Sequence, residues 1–106
     1  MNNNKFINAT LEANDFAMTM TIIKVLTRAA IDRDDKEEAS LMQELFNCLT
    51  KYTKNNDGTV SIKLNYEQGF AMWLSLNVFK DFCIHTMDTT ALEQAERIMR
   101  CFQPQH

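Results

Sequence analysis

Three cysteines and two histidines are the side chains here best suited to nucleophilic or metal chemistry. Cys83 and His85 stand two residues apart, and on a helix residues at that spacing point to different faces. A buried thiol beside a helix-terminal histidine is the expected reading, rather than a ligand pair. A catalytic triad needs a nucleophile, a base and an orienter. His85 and His106 are the only histidines, and no spacing groups Ser, Cys or Asp with either. Asp32, Asp34, Asp35, Glu37 and Glu38 could supply paired carboxylates for acid–base work. They fall between two apolar segments, so they read as a solvated connection and helix start, where acids meet the positive end of the dipole. Gly58 and Gly69 are the only glycines, which leaves no glycine-rich phosphate loop. No catalytic, cofactor-binding or metal residue is assigned.

The segment Thr53 to Ser61 resembles part of an EF-hand calcium loop. Asn55, Asp57 and Gly58 fit its third, fifth and sixth positions, and Val60 its apolar eighth. The first position is Thr53 rather than Asp, and the twelfth is Leu64 rather than Glu. Without the bidentate carboxylate a hard cation has too few oxygens, so calcium is not expected. The same residues make a good turn, with Gly58 at positive φ.

Composition narrows the class further. At 106 residues the expectation is one domain, spanning residues 1–106. Hydrophobic residues make up 45% of the chain, enough for a core. Net charge is −3 and the basic residues form no run, which argues against nucleic acid as the main partner. No apolar segment reaches the ~18 residues of a membrane span. The start, MNNNKF, lacks the apolar run of a signal peptide. With three cysteines and no CxxC, a cytoplasmic protein with reduced thiols is expected. Seven methionines could furnish an adaptable groove, but at helical spacing they read as core.

The elements that would position any site follow from periodicity. Residues 1–4 and the tail from Gln103 to His106 are polar and carry no pattern. Ile7, Ala9 and Leu11 alternate with polar residues, which predicts a strand. A helix follows to about Ile31, capped by Thr10 or Asn14. Its apolar arc holds Phe16, Met18, Met20, Ile22, Ile23, Val25 and Leu26. Ala17, Thr21, Lys24 and Arg28 form a narrow wet stripe. A second, amphipathic helix is predicted from Lys36 to Thr53, with Leu41, Met42, Leu45, Cys48, Leu49 and Tyr52 inward. A turn at Lys54–Gly58 leads to a second strand through Val60, Ile62 and Leu64. A long helix runs from Asn65 to Thr86, with Asn65 and Gln68 as a capping box. A last helix begins at a Thr90–Glu93 box and ends near Phe102. Its Ala91, Leu92, Ala95, Ile98 and Met99 turn inward, and Glu93–Arg97 and Glu96–Arg100 pair outside.

The fold class is therefore mainly α (α+β): two strand–helix–helix units, with four helices and a short two-stranded sheet. The order of elements suggests an internal repeat, residues 5–53 and 59–102, related by a pseudo-twofold. Phe16-Ala17-Met18 recurs as Phe70-Ala71-Met72, and Cys48 and Cys101 fall at matching places.

The long helix from Asn65 is where a function would lie. Stepping about 100° per residue, Phe70, Met72, Trp73, Leu74 and Leu76 share one arc, with Glu67, Gln68 and Ser75 opposite. Val78, Phe79, Phe82 and Cys83 then occupy the arc that was wet before. Such a helix serves two layers, or offers its second face to a partner. The expected function is a small non-enzymatic protein–protein interaction module that self-associates as a homodimer, with Val78, Phe79 and Phe82 as the candidate interface. The partner is another protein or a second copy, with no nucleic acid, membrane or cofactor. Two alternatives stand beside it. One is a phage or mobile-element accessory protein that inhibits a host machine. The other is a small-molecule-binding helical domain or enzyme, its site between the helical hairpins.

Overall fold

The structure is a computed structural model and describes residues 6–102. The expectations for residues 1–4, for the tail from Gln103 and for His106 lie outside these residues.

Period-two alternation forms two strands, as their sequences require. In β1 (Phe6–Glu12), Ile7, Ala9 and Leu11 are buried and the residues between them exposed. In β3 (Thr59–Asn65), Val60, Ile62 and Leu64 are buried in the same alternation, with Ser61 half-buried and Lys63 exposed between them. They pair antiparallel, with Phe6 opposite Asn65 and Glu12 opposite Thr59, so Ala9 and Ile62 face each other at the centre. The expected two-stranded sheet is corrected to three strands, in the order β1-β3-β2. The second helix stops at Leu49 rather than Thr53, which frees Thr53–Lys54 to pair with Ser61 and Val60 as β2. A two-residue strand has no periodicity to read. The turn between β2 and β3 is held by Asn55 N–H donating to Thr59 O at 2.9 Å, with Gly58 at φ 87°.

Four helices complete the architecture: α1 (Ala13–Asp32), α2 (Lys36–Leu49), α3 (Tyr66–His85) and α4 (Thr89–Cys101). Helix makes up 69% of the structure, within the roughly 60–70% expected from the segment lengths. α1 and α3 each touch both long strands, while α2 touches β3 and α4 touches β1. The inward strand residues and all four helices share one core, centred on Leu11, Ile23, Leu45, Leu64, Met72 and Ile98.

Several local expectations are corrected. α1 starts directly after β1, with Glu12 at the cap position and no side-chain cap bond, so neither Thr10 nor Asn14 caps it. α4 is capped by Asp88, whose carboxylate accepts from Ala91 N–H at 3.1 Å, two residues ahead of the Thr90 box. Within α1, Thr19 and Thr27 are buried and Val25 is 60% exposed. The threonine hydroxyls donate to Asp15 O and Ile23 O, so a small polar residue enters the core with its donor satisfied.

The two halves correspond element by element at an offset of 53 residues: β1 with β3, α1 with α3, α2 with α4. Asp34 and Met87 both have positive φ, and Asp35 and Asp88 both cap the next helix. The Phe-Ala-Met triplets do not lie in this register: Phe70 corresponds to Ala17 and Gly69 to Phe16. Cys48 and Cys101 do correspond.

Candidate interaction surface

α3 starts as its sequence predicts. Asn65 accepts from Gln68 N–H at 2.8 Å, and Gln68 Oε1 accepts from Asn65 N–H at 2.9 Å. Gln68 Nε2 also donates to Cys48 Sγ, tying the cap to α2.

Which side α3 buries is the main correction. The helix does not change sides. Its covered residues are Gly69, Ala71, Met72, Ser75, Leu76 and Cys83, one continuous arc in which most side chains are small. Gly69 lets the helix lie close to β1, since a Cβ there would overlap Ile7 Cδ1. Ser75, on the wet side by helical spacing, is one of these buried residues. It is 4% exposed, and its hydroxyl donates to Ala71 O at 2.8 Å. Trp73 is only partly buried.

Five large apolar side chains of α3 face outward, while Met72 and Leu76 are buried. Tyr66, Phe70, Leu74, Val78 and Phe82 recur every fourth residue and are 44%, 62%, 45%, 56% and 61% exposed. From Tyr66 to Phe82 the row runs about 24 Å along the helix. Clefts flank it. One of about 330 Å³ lies between α1 and α3, lined by Met18, Ile22, Val25, Val78, Phe79 and Phe82. Another of about 350 Å³ lies beside Leu41, Leu74 and Val78. The candidate interface residues therefore divide. Val78 and Phe82 project from the surface, while Phe79 is partly buried against the core and stands 6.5 Å from Phe82, ring centre to ring centre.

Several titratable groups are engaged in holding the fold. Asp15 is 3% exposed, and its carboxylate accepts from Arg97 Nε at 2.9 Å, Arg97 Nη2 at 2.8 Å and Gln94 Nε2 at 3.1 Å. Arg97 lowers the Asp15 pKa against the opposing effect of burial. This fork replaces the expected Glu93–Arg97 pair, and Glu96 pairs with Lys80 at 3.7 Å rather than with Arg100. Both pairs cross between helices, which an i,i+4 rule along one helix does not find. Asp57 accepts from the Thr59 hydroxyl at 2.6 Å and from Thr59 N–H at 3.0 Å. The residues that resemble a calcium loop thus close a turn with their own donors. Asp35 caps α2, and Glu38 pairs with Arg33 at 2.7 Å, so the acidic run builds a helix start.

Cys48, Cys83 and Cys101 are free thiols. Burial, with Asp88 adding to it, raises the Cys83 pKa away from the reactive range. His85 is exposed on the last turn of α3. Among the described residues, no three of His, Cys, Asp and Glu are placed to hold a metal ion. No helix there is long and apolar enough to cross a membrane. Comparison with protein families, curated proteins and solved structures finds no match to this chain.

Proposed function

We propose that this chain is a non-enzymatic protein–protein interaction module that self-associates as a homodimer, with Val78 and Phe82 at or beside the contact. The observation that supports it is the outward apolar row of α3. Single exposed apolar residues are ordinary, but a contiguous row of five is the kind of patch that usually marks an interface. A twofold dimer is the commonest way to cover such a patch. Light scattering after size exclusion tests it on wild type, Val78→Asp and Phe82→Asp. Both side chains are more than half exposed, so the variants should keep their fold and elute as monomers while wild type is a dimer. A monomeric wild type at high micromolar concentration overturns the reading.

Nucleic acid is not a partner in this proposal. Net charge is −3, and Asp35 and Asp88 occupy the helix starts of α2 and α4, where a phosphate would otherwise dock. A nanomolar mobility shift with duplex DNA at physiological salt would contradict it. The cleft between α1 and α3 favours a second reading, an apolar small ligand seated beside Phe79. Native mass spectrometry of protein purified from cells would then show a bound mass, and bare protein would exclude it.

The proposal includes an internal duplication. The common offset of strands, helices, caps and positive-φ corners supports it, and so does a strand pairing centred on the corresponding residues Ala9 and Ile62. A circular permutant opened at Asn56, with the original termini linked, should then fold cooperatively. A molten product would count against two equivalent halves.

A further inference from the structure

We infer that the cleft between α1 and α2 binds a single-chain amphipathic anion. Lys24 and Arg28 hold its acidic head, and its apolar body lies over Val25, Ile31 and Phe46. The site is separate from the row of α3 and does not depend on self-association.

Shape and lining come first. The cleft holds about 640 Å³, more than either cleft beside α3. Small-molecule sites are concave and mostly apolar, with a few convergent polar groups that orient the ligand. Val25 and Ile31, 60% and 56% exposed, and half-buried Phe46 supply the apolar part here. Along α1 the lining runs from Thr21 to Ile31, about 15 Å, so the apolar body is elongated.

The polar groups decide the sign of the ligand. Thr21 and Thr27 also face the cleft, but their hydroxyls already donate to Ala17 O and Ile23 O. The side-chain donors left to a ligand are Lys24, Arg28 and Gln43, two of them cationic. No Asp or Glu lines the cleft. Among the described residues neither cation forms an ion pair, and Asp32, one turn beyond Arg28, forms none with it. Two like charges at i,i+4 oppose each other on a helix, and an anion between them relieves that repulsion. A neutral or cationic ligand would cover both charges without supplying a partner. The positive character is local, since the whole chain carries −3.

The other half of the fold shows that folding does not demand these charges. At the offset of 53 residues, Lys24, Arg28 and Gln43 correspond to Asn77, Asp81 and Glu96. Lys80 stands beside them and pairs with Glu96 at 3.7 Å. The apolar residues are common to both halves, Val25 with Val78 and Ile31 with Ile84. What sets the α1–α2 cleft apart is its unpaired cations.

Isothermal titration with dodecanoate, kept below its micelle concentration, tests the site on wild type, Lys24→Gln/Arg28→Gln and Val78→Asp. All three positions are exposed, and circular dichroism checks that each variant keeps its helix content. Wild type and Val78→Asp should bind a single molecule, and the double variant should bind at least tenfold more weakly. Amide NMR shifts on wild type should concentrate at Lys24, Arg28 and Phe46. Dodecyltrimethylammonium, with the same chain and the opposite head, should bind wild type at least tenfold more weakly than dodecanoate. This comparison uses wild type alone, so it decides the matter even where the double variant does not fold. Equal affinity for the two amphiphiles, equal affinity of wild type and double variant, or no binding at all overturns the proposal. Loss confined to Val78→Asp also overturns it and places the ligand beside Phe79. Binding to vesicles of anionic lipid without binding to free dodecanoate overturns it in favour of a membrane surface.

Discussion

Burying the carboxylate of Asp15 costs desolvation energy, which three hydrogen bonds from Arg97 and Gln94 offset. The bonds join the first turn of α1 to α4, 79 and 82 positions apart in sequence. Because Arg97 lowers the Asp15 pKa on folding, the stabilisation is fully present above the unfolded value. It is lost as pH falls through the depressed folded value. Wild type should therefore melt at falling temperature below about pH 4. Asp15→Asn should melt lower at neutral pH and lose less on acidification. Calorimetry from pH 2 to 7 checks this, and parallel acid limbs would show that another group titrates. A second contrast lies along α3. Met72→Ala or Leu76→Ala, at fully buried positions, should each cost about 2–5 kcal/mol. Phe70→Ala should stay within about 0.5 kcal/mol when the folded monomer is unfolded in urea. The aromatic residue is the larger hydrophobe but the smaller contributor to the core, which reverses the order that side-chain size alone suggests.

α3 also explains what could be read in the sequence at the level of elements and what could not. Strand alternation and the Asn65–Gln68 cap depend on neighbours in sequence, and both appear where the residues place them. The buried arc of α3 depends on how close its neighbours come. Hydrophobicity ranks Phe70 and Trp73 above Gly69, Ala71 and Ser75, yet a helix that meets β1 at Gly69 and α2 at Ala71 and Ser75 carries small residues inside. β2 was missed because it is defined by its pairing with β3 and not by a pattern of its own. The α3–α4 corner carries a separate cost. Met87 has φ 57° and is 85% exposed, so it bears a left-handed conformation without packing to offset it. Gly is the residue suited to that position after a helix. Met87→Gly should stabilise the chain by about 0.5–1 kcal/mol, the relief of left-handed strain exceeding the entropy glycine adds to the unfolded state. Asp34→Gly at the corresponding corner should gain less, because Asp tolerates this conformation better. Chemical denaturation of the two variants gives the comparison.

For the whole molecule, the candidate surface was half legible. Val78 and Phe82 stand out in the sequence as an apparent change of face, and they project outward because Met72 and Leu76, with the small residues of α3, fill its covered arc. Tyr66, Phe70 and Leu74 belong to the same row. A count of every fourth large residue from Tyr66 to Phe82 would have joined them, but nothing in that count says whether the row faces core or solvent. That depends on α1, α2, α4 and the sheet, which settle the opposite arc. The proposed self-association would couple the stability of the entire chain to its concentration. If only folded chains pair, dimerisation draws population from the unfolded state, and stability rises with protein concentration. A tenfold increase should contribute about 1.4 kcal/mol per dimer, or about 0.7 per chain. For a chain of this size that corresponds to a melting temperature higher by about 3–5 °C. Val78→Asp removes the pairing and leaves the exposed site folded, so its melting temperature should not move with concentration. At low concentration, where wild type is monomeric, the two should melt close together. Scanning calorimetry from about 10 to 100 µM on both chains measures this. A wild-type melting temperature independent of concentration would leave the row of α3 free to serve a different partner.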